Sequence, residues 1–167
     1  MEGIRLAARF PIDAIMFGDD WGQQKGMIMG APIWRQFIKP YFARLFEEVK
    51  SSGKAVILHS CGDISEIISD LVDMGLDIYN TFQPEIYDME EFKRNYGKHI
   101  IVYGGVSTQE VLAIGKPDDV QKAARKAMDI LGSDGRYIAA PTHQIPVGTP
   151  LENILALVET FKQQGEA

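Results

Sequence analysis

Short apolar runs alternate along the whole chain with stretches of helical periodicity, and this alternation limits the fold more than any other feature. The predicted strands cover residues 13–17, 55–58, 76–80, 100–103 and 136–140. Strands separated by single helices are joined by right-handed crossovers into a parallel sheet. The sequence therefore predicts an α/β fold, either an open doubly wound sheet or part of an eight-stranded (β/α) barrel. Five strands do not close such a barrel.

The predicted helices fill the intervals between these strands. They cover residues 33–52, 64–74, 89–96, 108–114, 118–131 and 150–164. Pro40 marks a kink or a break in the first of these helices, and Asp63 is the predicted N-cap of the second. Residues 1–10 read as the end of a helix that lacks a capping signal at its start. We therefore expect the chain to begin within a fold.

Length and charge narrow the class of protein. The chain has 167 residues, enough for a single domain over residues 1–167 with a hydrophobic core. A net charge of -6, without a basic cluster, argues against nucleic acid and anionic membranes as partners. No apolar run approaches the roughly 20 residues that cross a bilayer. The single cysteine excludes an internal disulfide and, without a secretory signal pattern, fits a reducing cytoplasm.

A His-x-Cys-Gly motif follows the second predicted strand directly. His59 and Cys61 lie at the carboxyl end of the strand, where α/β folds place their chemistry. Side chains two residues apart on extended backbone project to the same side. An imidazole nitrogen and a thiolate together suit Zn²⁺, although a catalytic site needs a third ligand. The alternative is a strand-end histidine that hydrogen-bonds to backbone beside an inert cysteine.

Six segments of the sequence resemble, in order, loops of the uroporphyrinogen decarboxylase superfamily. They are GDDWG at 18–22, HSCG at 59–62, QPE at 83–85, YGGV at 103–106, APTHQIP at 140–146 and GTPLENI at 148–154. Within that superfamily, His-x-Cys-Gly resembles the zinc- and corrinoid-dependent methyltransferases and demethylases rather than the decarboxylases. The resemblance implies a partial TIM (β/α)₈ barrel. This chain would supply about its last five βα units and lack the first three strands.

The resemblance also implies a metal-ligand set. His59 and Cys61 would bind a Zn²⁺ that activates a thiol or another methyl acceptor, because a free thiol with a pKa of about 8.5 is mostly protonated at neutral pH. His143 would be the third ligand, leaving one tetrahedral position open. Methyltransferases of the family often carry cysteine in this loop, and decarboxylases carry a histidine that faces substrate. Substrate contact and a structural hydrogen bond are therefore the alternatives for His143.

Three carboxylates at strand ends are predicted catalytic residues. Asp19 and Asp20 would act as a general acid or base, as a partner of a metal-bound histidine, or on the substrate, or one of them would hydrogen-bond the following loop. Glu85 would orient substrate or complete the metal shell, or would lie exposed in its loop. Trp21 is a predicted substrate-binding residue whose face suits an aromatic or corrinoid ring, with core packing as the alternative.

The YGGV segment supplies the other predicted substrate-binding residues. Tyr103 would line the pocket or pack beneath it. Gly104 and Gly105 would allow either a close approach of backbone to ligand or a tight turn.

The resemblance implies a zinc-assisted methyltransferase that works with a corrinoid carried by a separate protein and with a small-molecule methyl donor or acceptor. Uroporphyrinogen decarboxylation, which uses no metal, is the rival activity, but the arginine-rich N-terminal motif that it requires is absent from this sequence. A third hypothesis is a non-catalytic fragment or subunit. An unclosed parallel sheet exposes its edges, so we expect either a homo-oligomer or a complementing chain.

Overall fold

The computed structural model describes residues 1–163, which form an α/β fold. Its strands are β1 Ala14–Gly18, β2 Gly22–Gln23, β3 Gly26–Met27, β4 Ala55–His59, β5 Ile78–Phe82, β6 Ile101–Val106 and β7 Tyr137–Pro141. Its helices are α1 Glu2–Ala7, α2 Ala31–Phe37, α3 Lys39–Ser51, α4 Ile68–Asp73, α5 Met89–Tyr96, α6 Val111–Ile114, α7 Pro117–Leu131 and α8 Leu151–Lys162. No helix in this part of the chain combines the length and apolarity needed to cross a bilayer.

The main sheet has five strands in the order β1-β4-β5-β6-β7. The pairs β1–β4, β4–β5 and β6–β7 are parallel. The predicted α/β class with a five-stranded parallel sheet is therefore confirmed, and the strands do not close into a barrel. β2 and β3 form a separate antiparallel hairpin that the sequence did not predict.

Several predicted element boundaries need correction. The helix predicted over 33–52 is divided at Ile38 into α2 and α3. Pro40 lies in the first turn of α3, so the predicted break near this proline is confirmed. Asp63 is not the N-cap of α4. Its carboxylate instead accepts a hydrogen bond from Ser65 N, and a 3-10 turn, Ser65–Ile67, precedes the helix. The predicted end of the last helix at Gln164 lies outside the described residues.

The chain divides into two compact units, residues 1–80 and residues 81–167. The core of the first unit is aromatic. Trp21 packs edge-to-face on Trp34 and Phe42, with ring centroids 5.3 and 4.8 Å apart, and Phe42 in turn contacts Phe46. Such pairs add about 0.5–1.5 kcal/mol each beyond the burial of their area.

The core of the second unit is aliphatic. The end of β6 packs against three helices through Val106, Leu112, Val120, Ala124, Ala156 and Leu157. The apolar residues of α7 recur at helical spacing, which explains why its sequence predicted a helix over nearly the same residues. The single domain over residues 1–167 stays a prediction.

Candidate metal centre

The strand register of the first unit places Gly18, His59 and Asn80 side by side on three neighbouring strands. His59, the last residue of β4, pairs with Gly18 at the end of β1 and with Asn80 in β5. Because these strands are parallel, the residues that follow Gly18 and His59 leave the same edge of the sheet. The GDDWG and HSCG segments therefore lie side by side.

His59 is oriented by Asn80. Its Nδ1 lies 2.5 Å from Asn80 Oδ1, an oxygen that can only accept, so Nδ1 donates this hydrogen bond and Nε2 is the ring nitrogen on the side of Cys61. His59 Nε2 lies 3.5 Å from Cys61 Sγ. A tetrahedral Zn²⁺ with Zn–N and Zn–S bonds of about 2.0–2.1 and 2.3 Å would separate the two ligand atoms by about 3.5 Å. The pair therefore matches two neighbouring corners of a zinc site.

The Cys61 thiol is half-buried and faces a carboxylate. Cys61 N donates a hydrogen bond to Asp20 Oδ1 at 2.8 Å. Burial raises the pKa of the Cys61 thiol above its ordinary value, and the negative charge and hydrogen bonding of Asp20 raise this pKa further. The thiol consequently keeps its proton unless a cation is present, because a metal ion favours the thiolate.

Gly62 of the motif is required by a close backbone contact. Its φ of +78° is left-handed, and a Cβ at this position would lie 2.2 Å from the carbonyl carbon of Gly22. The contact is reinforced by a hydrogen bond from Asp63 N to Gln23 O at 2.9 Å. The β2–β3 hairpin therefore packs directly on the loop that carries Cys61, and only glycine fits between them.

The two aspartates of the GDDWG segment have different contacts. Asp19 Oδ2 accepts a hydrogen bond from the indole Nε1 of Trp21 at 2.9 Å, and Asp19 N donates to His59 O at 3.1 Å. Asp20 is 56% exposed, and its Oδ1 lies 3.6 Å from His59 Nε2. Asp19 thus fixes the loop, whereas Asp20 faces the histidine–cysteine pair. Trp21 is only 1% exposed and packs in the core, which is the alternative that the sequence left open.

Glu85 belongs to the second unit. Its Oε1 accepts a hydrogen bond from Ser107 Oγ, and its Oε2 is buried without a hydrogen-bond partner. Ser107 Oγ also accepts a hydrogen bond from Glu110 N at 3.0 Å. The side chain lines a cavity of about 210 Å³ together with Pro84, Met89, Gly105, Ser107, Glu110, Val111, Ala123 and Lys126.

The glycines of the YGGV segment make room for protein atoms. A Cβ on Gly104 would lie 3.0 Å from the backbone of Phe82, and a Cβ on Gly105 would lie 2.8 Å from the Tyr137 hydroxyl. That hydroxyl donates to Gly104 O at 2.7 Å, and burial raises the pKa of Tyr137. These glycines therefore permit tight packing around β6. Tyr103 is half-buried.

His143 is exposed and follows the end of β7 by two residues. The residue before it is anchored. Thr142 is buried, its N donates to Val106 O at 2.8 Å, and its carbonyl oxygen accepts a hydrogen bond from Thr81 Oγ1. Thr142 Oγ1 accepts a hydrogen bond from Thr108 N at 3.2 Å. The root of the loop that carries His143 is thus fixed within the second unit.

Three residues that support these loops were not predicted from the sequence. Asn80 orients His59, Ser60 Oγ accepts a hydrogen bond from Trp21 N at 3.1 Å, and Thr142 anchors the His143 loop. Asn80 had a signal, since a polar residue ended a predicted strand beside the one that carries His59. Ser60 and Thr142 had no signal beyond their position next to motif residues.

The family model for uroporphyrinogen decarboxylase (URO-D) matches residues 12–164. The chain belongs to this family. Over 131 residues it is 31% identical to the methylcobamide:CoM methyltransferase MtaA of Methanosarcina barkeri, a match that covers 78% of this chain and 36% of that protein. Over 153 residues it is 22% identical to a uroporphyrinogen decarboxylase of Coxiella burnetii, covering 90% of this chain and 40% of that protein.

A solved structure is similar as well. A methyltransferase from Methanosarcina mazei matches with a TM-score of 0.70 and 25% identity, covering 97% of this chain and 46% of that chain. The resemblance stated from the loop motifs is therefore confirmed at the level of the family. The chain spans less than half the length of these relatives.

Proposed function

We propose that this chain contributes to a zinc-assisted, corrinoid-dependent methyltransferase of the URO-D family, with His59, Cys61 and His143 binding one Zn²⁺. Each of the three side chains offers one ligand atom. The observation that carries the proposal is the spacing of His59 Nε2 and Cys61 Sγ, 3.5 Å, together with the contact between His59 Nδ1 and Asn80 Oδ1 that turns Nε2 toward Cys61. Two nitrogens and one thiolate fit a catalytic zinc with an open position.

When bound, the metal would act as a Lewis acid and favour the anionic form of a thiol or water ligand. The protein would supply orientation. Asn80 orients the imidazole, and the backbone contact between Gly22 and Gly62 fixes the loop. Asp20 and Glu85 are proposed to act on the substrate or its protons. The name of the relative in Methanosarcina barkeri, methylcobamide:CoM methyltransferase, supports methyl transfer from a methylated cobamide. A separate corrinoid protein is the proposed partner.

The other predicted site residues lie outside the histidine–cysteine pair. Tyr103 is proposed to contact substrate from its half-buried position. Catalytic or substrate-binding roles for Asp19, Trp21, Gly104 and Gly105 stay predictions, since the described contacts of Asp19, Trp21 and the two glycines stabilise loops and packing.

Uroporphyrinogen decarboxylation is the second candidate function. The match to the decarboxylase of Coxiella burnetii favours it. The resemblance of the loop motifs also implies a substrate-facing histidine at the position of His143. A metal requirement separates the two functions, because the decarboxylases use no metal.

Metal analysis tests the proposal. The chain purified without chelator should bind about one Zn²⁺, and His59→Ala and Cys61→Ser should each weaken zinc binding by about 100-fold or more. His99→Ala, which removes an exposed histidine outside the motif, is the matched control and should leave the affinity unchanged. Equal zinc binding by all four proteins would contradict the metal assignment.

We also propose that the protein works in the cytoplasm and assembles with a second copy or a complementing chain. In the second unit, α8 exposes an apolar stripe at helical spacing, formed by Leu151, Leu155 and Val158, which are 66%, 53% and 43% exposed. Such a stripe is typical of a helix face that packs on another element. A monomer in sedimentation at micromolar concentration would argue against self-association.

A further inference from the structure

Asp20 brings a third donor atom to the histidine–cysteine pair of the first unit. Asp20 Oδ1 lies 3.6 Å from His59 Nε2, and Cys61 Sγ lies 3.5 Å from the same nitrogen. A tetrahedral Zn²⁺ bonded to nitrogen and oxygen at about 2.0–2.2 Å separates these atoms by about 3.4 Å. Asp20 Oδ1 and Cys61 Sγ therefore each lie at ligand spacing from His59 Nε2.

The position of Asp20 is determined by backbone contacts on both sides. Its carboxylate accepts a hydrogen bond from Cys61 N at 2.8 Å. On one side of Asp20, Asp19 N donates a hydrogen bond to His59 O at 3.1 Å. On the other side, Trp21 N donates to Ser60 Oγ, also at 3.1 Å. The carboxylate thus stays beside the pair although 56% of the side chain is exposed.

The two neighbouring aspartates are not equivalent as donors. Asp19 uses one carboxylate oxygen to bind the indole of Trp21, which directs the group toward the aromatic core. Asp20 directs its Oδ1 toward His59 and Cys61. Asp19→Asn is therefore a matched control, because it removes the same charge from the neighbouring position and leaves the Asp20 carboxylate in place.

We propose that Asp20 Oδ1 is an oxygen ligand of the metal that His59 Nε2 and Cys61 Sγ bind. The inference rests on the proposed function, because it presumes that this pair holds a metal. A thiolate and a carboxylate together balance the two positive charges of Zn²⁺, while a neutral imidazole adds none. The first unit then supplies nitrogen, sulfur and oxygen donors by itself. With His143 as the fourth ligand, a thiol substrate would bind by displacing the Asp20 carboxylate or as a fifth ligand.

The test compares Asp20→Asn with Asp19→Asn in the full chain. Asparagine keeps the size of the side chain and an oxygen that accepts from Cys61 N, but it removes the anionic donor. Chelator competition should show zinc binding about 10-fold weaker or more in Asp20→Asn, and within about 3-fold of the parent in Asp19→Asn. Circular dichroism and the melting temperature establish that both variants fold.

Infrared difference spectra separate a ligand from a residue that only positions Cys61. Zinc-loaded minus zinc-free spectra should contain a carboxylate band pair that is lost in Asp20→Asn and kept in Asp19→Asn. If Asp20→Asn keeps the band pair, or binds zinc as tightly as the parent, Asp20 is not a ligand. The proposed function survives that result as long as His59→Ala still loses zinc. If parent and His59→Ala bind zinc equally, the proposed function itself fails.

Discussion

The loops that carry the proposed ligands are held in different ways in the two units. In the first unit, His59 and Cys61 are fixed by side chains and backbone on several sides, including the Asn80 amide, the Asp20 carboxylate and the hairpin against Gly62. In the second unit, Thr142 is buried and anchored, but residues 143–148 are all exposed.

This difference predicts unequal contributions to metal binding. A donor pair already held at ligand spacing loses little conformational freedom when a metal binds, whereas ordering an exposed side chain costs about 0.5–1.5 kcal/mol. We therefore expect the first unit to set most of the zinc affinity, and His143 to add to it.

The largest effect is expected for Gly62→Ala. The substitution forces alanine into a left-handed conformation with φ near +78° and places its Cβ 2.2 Å from the Gly22 carbonyl carbon. Strain and displacement of the hairpin should destabilise the fold by about 3 kcal/mol, which lowers the melting temperature by about 6–12 °C. Calorimetry measures the loss, and zinc titration should show weaker binding.

Gly18→Ala is the control for this prediction. Gly18 ends β1 next to His59 in register, yet a Cβ at this position would meet no atom within 4 Å, and its φ is not left-handed. The free energy of unfolding of this variant should differ from that of the parent by no more than about 0.5 kcal/mol. Equal melting temperatures for Gly62→Ala and the parent would show that the hairpin contact does not hold the loop.

An intermediate effect is expected for His143→Ala. Because the first unit is expected to retain its own donors, zinc binding should weaken by about 10-fold rather than disappear. Gln144→Ala, at the neighbouring exposed position, should keep the parent affinity. Chelator competition measures both. A loss as large as that of His59→Ala would mean that the two loops contribute equally.

Much of the fold was predictable because buried parallel strands are read from apolar runs. All five strands of the main sheet lie within a few residues of their predicted positions, and α5 has the predicted bounds, with Asp88 capping it through a hydrogen bond from Glu91 N. The β2–β3 hairpin was not predictable, since strands of two residues show no alternation. The start of α6 was predicted at residue 108, three residues before its observed start at Val111. The intervening residues form a turn in which Ser107 Oγ accepts a hydrogen bond from Glu110 N.

The site was predictable in part for the same physical reason. The spacing of His59 and Cys61 after a strand fixes which way both side chains project, and their approach to 3.5 Å agrees with that expectation. The different contacts of Asp19 and Asp20 were not predictable, because they depend on the distant packing that places the Trp21 indole. The local sequence pattern indicates which way a side chain projects, whereas tertiary contacts determine which residue it binds.

The smallest effect is expected for Thr142→Val, which tests how the His143 loop is anchored. Valine keeps the volume of the side chain but removes the oxygen that accepts from Thr108 N at 3.2 Å, leaving a buried donor unpaired. We expect a loss of about 1 kcal/mol of stability, or about 2–4 °C in melting temperature. Zinc affinity should fall by less than it does in His143→Ala, because the backbone bond from Thr142 N to Val106 O remains. Thr149→Val, which removes a more exposed hydroxyl bond to Pro146 O, should cost no more than about 0.5 kcal/mol. If Thr142→Val matched Thr149→Val in calorimetry, the buried threonine would not be the anchor, and the loop would depend on its backbone bonds alone.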